Sequence, residues 1–94
     1  MTLKQEANVT DNIEQKRLRW HSRRGMLELD VLLIPFIDEA YEQLADDDKK
    51  LYKVLLDQED TDLFAWFLER VEPEDSGLQR IVTLVLEHAR SRGA

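Results

Sequence analysis

Cysteine is absent from this 94-residue chain, which excludes disulfides, thiolate metal sites and a catalytic thiol. Three glycines and two prolines are too few turn formers for an all-β fold. No long apolar run occurs either. The longest stretch free of charged residues is Val31–Ile37, far short of the ~20 residues of a membrane-spanning helix. The opening MTLKQEANVT has no arginine and no apolar centre, so neither a transit nor a signal peptide is read there. The three glycines, Gly25, Gly77 and Gly93, are too scattered for a phosphate-binding loop, and no serine sits in a G-x-S-x-G context. His21 and His88 belong to no metal-binding pattern and read as solvated side chains. These absences predict a protein that is not an enzyme and that works in a reducing compartment, the bacterial cytoplasm.

What is present points to a folded helical domain. Hydrophobic residues make up 43% of the chain, with two Trp, three Phe and two Tyr, a composition of globular rather than disordered sequences. The length allows one domain over residues 1–94, burying about 65% of the extended-chain surface, with residues 1–10 expected as a flexible N-terminal segment. The net charge of −7 is unevenly distributed. Residues 1–25 carry six basic and three acidic side chains, whereas residues 26–94 carry seven basic and seventeen acidic ones. Such an acidic whole argues against a general nucleic-acid binder, since phosphate contacts supply most of that affinity. The basic strip Lys16–Arg24 keeps one alternative open: a small regulatory or nucleic-acid-associated module.

Periodicity predicts five short helices in a compact antiparallel bundle. The first spans about Asp11 to His21, capped by Thr10 or Asp11, with Ile13 and Trp20 one heptad apart as its hold on the core. The second runs from about Met26 to Leu44 on a stripe that includes Leu29, Leu33, Phe36 and Ile37, and Pro35 predicts a kink or break inside it. Asp46-Asp47-Asp48 opens the third, where carboxylates suit the positive end of the helix dipole. Those three acids lack the spaced ligands and glycine of a calcium loop. Leu51, Val54, Leu55 and Tyr52 face the core. The fourth starts with Asp60 or Thr61 as cap and carries Leu63, Phe64, Trp66, Phe67, Leu68 and Val71 as the densest apolar segment. Ser76 and Gln79 have the form of a capping box for the fifth, which Gly93 closes as the residue just past its end. The core is expected to centre on Phe64, Phe67, Leu55, Leu33 and Val82.

Arg23-Arg24-Gly25-Met26-Leu27-Glu28 admits two readings. As a structural joint, Gly25 ends one helix or caps the next, and Glu28 falls at the third helical position, where it can bond back to the cap. Two arginines beside a helix N-terminus, however, oppose its dipole by ~0.3–1 kcal/mol each. As an interaction site, Gly25 would let another backbone approach, and Arg24 would grip a carboxylate with its planar fork. As exposed charges, Arg24 and Glu28 would then contribute little to stability. The residues alone leave both readings standing.

Arg24-Gly25-x-x-Glu28, followed by Pro35-Phe36, Tyr41, Leu44, Asp47 and Asp62-Leu63-Phe64-x-Trp66, resembles the succinate dehydrogenase assembly factor family, small proteins that promote covalent flavin attachment. The resemblance covers about Ile13 to Trp66. It implies a five-helix bundle that binds the flavoprotein subunit of succinate dehydrogenase, and in bacteria often that of fumarate reductase. There it would promote bonding of FAD to a histidine of that subunit. It also implies that Arg24, Gly25 and Glu28 bind the partner, flanked more loosely by Arg19, Trp20, His21 and Arg23. No residue pattern recognises a dinucleotide, so the chain is expected to bind no cofactor of its own and to be a monomer when free.

Overall fold

The computed structural model describes residues 13–93, and they form an all-α fold. Helix α1 covers residues 13–22. Helix α2 (Leu27–Glu39) is followed by a 3-10 turn at Tyr41–Gln43, then α3 (Asp46–Leu56), α4 (Asp60–Phe67) and α5 (Ser76–Gly93). The proposed cap at Thr10 or Asp11 and the segment 1–10 lie outside the described residues. Helix α5 packs against α2, α3 and α4, and α2 also meets α4. The core lies where α2, α3 and α5 converge, around the fully buried Leu33, Phe36, Tyr52, Leu55, Ile81 and Val85. The Phe36 and Tyr52 rings stack at 5.3 Å.

Helix α1 turns a different face inward from the one its heptad pair suggests. Trp20 is 76% exposed and Ile13 46%, while Leu18 and Ser22 are buried. Trp20 stands about 200° around the helix from Leu18, so the two cannot share a face. The Ser22 hydroxyl donates to the Leu18 carbonyl at 2.7 Å and lies 2.6 Å from the Tyr52 hydroxyl. Burial raises the pKa of that tyrosine well above its ordinary value. A buried polar pair therefore anchors α1 where a pair of apolar side chains was expected. Gln15 donating to the Ile37 carbonyl and Arg19 bridging to Asp38 fasten its outer side to α2.

Other boundaries shift for local reasons. Pro35 lies inside α2 without ending it. It withholds only the bond to the Val31 carbonyl, and Val31 is itself exposed. The helix stops instead at Ala40, whose N–H donates to the Phe36 carbonyl, and Leu44 is extended. In α3, Val54 faces solvent and Leu56 is buried. In α4 only Leu63 and Phe67 are buried, so the segment is less central than its density of apolar residues implies, and Phe64 is only half-buried. Glu69 adopts φ 60°, with its N–H bonded to the Trp66 carbonyl and that of Arg70 to Ala65. This Schellman ending halts the helix before Leu68 and Val71 can continue its stripe, and both are exposed. The helix begins one residue earlier than expected, with Glu59 as cap.

At α5 the capping residue is Asp75, not Ser76. Its carboxylate accepts from the Leu78 N–H at 2.9 Å, and Gln79 donates to the Pro73 carbonyl. Gly93 belongs to the last turn rather than lying beyond it. His88 is not solvated: its side chain is 15% exposed, stands edge-on to Phe36 and pairs through Nε2 with Glu39 at 3.1 Å. Asp46–Asp48 occupy the first turn of α3 as expected, and Asp48 forms a two-pronged bridge to Arg80 on α5 at 2.7 and 2.9 Å. No group of three or more metal-ligating side chains occurs among the described residues. No described helix is long and apolar enough to cross a membrane.

Candidate docking site

The connection between α1 and α2 is short and tightly fixed. The Arg23 N–H donates to the Trp20 carbonyl, which closes α1. Gly25 then takes φ +81°, a conformation that strains any residue with a Cβ by roughly 1–2 kcal/mol. A Cβ placed there would meet nothing within 4 Å. The glycine is therefore required by the backbone, and the space above it is open. The turn is thus a structural joint with nothing packed over its glycine among the described residues.

Arg24 points into the protein. Its side chain is 13% exposed, and Nε bonds Asp60 Oδ1 at 2.7 Å. Nη1 donates to the Leu56 carbonyl at 2.8 Å and more weakly to that of His21 at 3.3 Å, while Nη2 donates to Gln58 at 2.8 Å. Leu56 ends α3 and Asp60 opens α4, so the guanidinium caps the C-terminal carbonyls of one helix and pairs with the first turn of the next. A cation suits that end of α3. The apparent conflict of Arg24 with the α2 dipole disappears, because its charge sits on another helix. The Arg24 N–H in turn donates to Asp30 Oδ1 at 2.7 Å, locking the turn to α2.

Glu28 does the opposite. It is exposed and is the second residue of α2, whose cap is Met26 with no side-chain bond to the helix. The expected capping-box contact is not formed, Arg24 does not pair with Glu28, and the Glu28 carboxylate has no hydrogen-bond partner among the described residues. Beside it, Leu27 is 74% exposed and Val31 54%. They lie one turn apart and outside the core stripe of α2. Trp20, His21, Arg23, Arg24 and Asp60 line a shallow depression of about 330 Å³. Arg19 is separate from it, paired with Asp38, which raises its pKa by hydrogen bonding. The structure thus gathers Trp20, His21, Arg23 and Arg24 and leaves Arg19 aside.

Two residues of this site were not singled out from the sequence: Asp30 and Asp60. Asp60 read only as a helix cap, and its partner lies 36 positions away. Leu27 and Val31 did carry a signal, since they are aliphatic yet fall off the three-four stripe of their own helix.

Residues 16–89 match the protein family described as flavinator of succinate dehydrogenase. The chain is 51% identical over 84 residues to the FAD assembly factor SdhE of Pseudomonas savastanoi pv. phaseolicola, covering 89% of this chain and 100% of that one. It is 51% identical over 82 residues to the SdhE of Pseudomonas aeruginosa, covering 87% and 98%. With the SdhE of Colwellia psychrerythraea the identity is 42% over 90 residues, covering 96% and 99%.

Proposed function

This chain belongs to the family of succinate dehydrogenase flavinators, and from that premise we propose that it binds the flavoprotein subunit of succinate dehydrogenase and promotes covalent attachment of FAD to it. The chain is an assembly factor in flavinylation and not a catalyst in its own right. The docking surface is the Arg24-Gly25-x-x-Glu28 turn. One observation supports it above the rest: among the described residues the turn combines a Glu28 carboxylate without a partner, an open space over Gly25 and solvent-facing Leu27. A fold with no use for this surface would gain by hiding Leu27 and by capping α2.

In this reading Glu28 accepts hydrogen bonds from donors of the flavoprotein, Gly25 lets its backbone come close, and Trp20, Leu27 and Val31 bury apolar area against it. Aromatic anchors ringed by polar groups are usual at such contacts. The factor binds no FAD itself. It acts as a monomer and holds its partner in the arrangement in which that partner attaches its own flavin. The flavoprotein subunit of fumarate reductase is a second client of the same surface.

The test is co-expression of the chain with each flavoprotein subunit, followed by in-gel flavin fluorescence of the denatured subunit. Glu28→Ala should abolish most of the signal. Undiminished fluorescence with Glu28→Ala would remove the turn from the docking surface. A stoichiometric yellow complex of the isolated chain with FAD would replace the assembly reading by that of a flavin carrier.

A further inference from the structure

We propose that Asp60 is a positioning residue for the docking turn, acting on the partner only through Arg24; this rests on the reading of that turn as the docking surface. All three nitrogens of the Arg24 guanidinium are engaged inside the chain, and the side chain is 13% exposed. A partner carboxylate could take the fork only by displacing these bonds. What Arg24 can offer a partner is placement. It ties the turn between α1 and α2 to the turn between α3 and α4.

Within that tie the contacts differ in kind. Leu56, Gln58 and His21 supply neutral carbonyls, whereas Asp60 is the carboxylate bonded to Nε at 2.7 Å. Bonding at Nε fixes the rotation of the planar group, so that Nη1 and Nη2 face the Leu56 and Gln58 carbonyls together. Without Asp60 the guanidinium loses its formal counter-charge and is free to turn toward water. Gly25 directly follows Arg24, and Glu28 follows one residue into α2. A loosened Arg24 therefore displaces the groups that meet the partner. Asp30, accepting from the Arg24 N–H, holds the backbone of the same residue.

The experiment is titration calorimetry of the full chain against the flavoprotein subunit, well below the melting point of every variant. Asp60→Ala should weaken binding about tenfold, as small misplacements of binding groups do. Asp60→Asn, whose amide oxygen still accepts from Nε but carries no counter-charge, should recover only part of the loss. The double variant Arg24→Ala/Asp60→Ala should bind no more weakly than Arg24→Ala alone, the signature of two residues acting as one unit. Asp48→Ala, which breaks the bridge to Arg80, serves as a control that lowers the melting point yet leaves the affinity unchanged.

Wild-type or tighter binding by Asp60→Ala would overturn the proposal, since a freed Arg24 would then be gripping the partner directly. A further loss in the double variant would overturn it too, by giving Asp60 its own contact. Glu28→Ala separates the two levels. Wild-type affinity in that variant removes the docking surface itself, whereas a loss there beside unchanged binding by Asp60→Ala removes only the role of Asp60.

Discussion

Two turns of this molecule lead into a helix beside a glycine, and they are built on opposite terms. Before α5, Asp75 caps the helix, Gln79 reaches back to Pro73, and a Cβ on Gly77 would come within 2.7 Å of Leu51. That glycine exists for close packing inside the fold. Before α2, the helix has no side-chain cap, and Gly25 has a positive φ with open space above it. Folding explains the first turn completely. It explains the inward half of the second, Arg24 with Asp30 and Asp60, and leaves Glu28 and Leu27 without an internal purpose among the described residues.

The comparison is sharpened most by Arg24→Ala. That change strips a charged side chain from the carbonyls of Leu56 and Gln58 and leaves Asp60 unpaired. Charge-assisted bonds of this kind contribute about 1.5–3 kcal/mol, so the melting temperature should fall by several degrees in calorimetry, and flavinylation should fall with it. This reverses the expectation drawn from the sequence that Arg24 adds little to stability. Gly77→Val should cost about 1–3 kcal/mol through overpacking against Leu51, with partner flavinylation intact at a permissive temperature. Gly25→Ala should cost about 1 kcal/mol through backbone strain alone, yet reduce flavinylation more than Gly77→Val does. Equal flavinylation by the two glycine variants would erase the distinction between the turns. Smallest of all in stability is Glu28→Ala, expected within about 0.5 kcal/mol, while its effect on the partner is large. A melting temperature far below wild type would make Glu28 a structural residue after all.

Local patterning made much of this fold legible. Leu29, Leu33, Phe36 and Ile37 recur at helical spacing and are all buried, and the three aspartates of α3 stand where a dipole favours them. The failures have a common cause. Helix α1 has so few apolar residues that spacing could not say which face turns inward, and its anchor is Ser22 meeting Tyr52 from 30 positions away. Arg24 looked like an exposed fork because its partners at positions 56, 58 and 60 are brought to it only by the packing of α3 and α4. His88 looked solvated for the same reason, its ring being covered by Phe36. The turn itself, a glycine just before the start of α2, was readable from the sequence. The division of its residues between inward and outward tasks was not, because that division is set by long-range contacts.

The position of Trp20 equips the chain with an optical reporter of its own. Of its two tryptophans, Trp66 is partly covered against the core, while Trp20 stands 76% exposed beside Arg23 and Arg24. An indole in water emits at long wavelength, and one transferred to an apolar contact emits further to the blue. In a Trp66→Phe background, Trp20 would be the chain's single indole, placed at the rim of the proposed contact. Engagement of a partner free of tryptophan signal, for instance one labelled with the non-fluorescent 4-fluorotryptophan, could then be followed in real time. Its rate and salt dependence would become measurable without attaching any dye, at the rim of the surface proposed for docking.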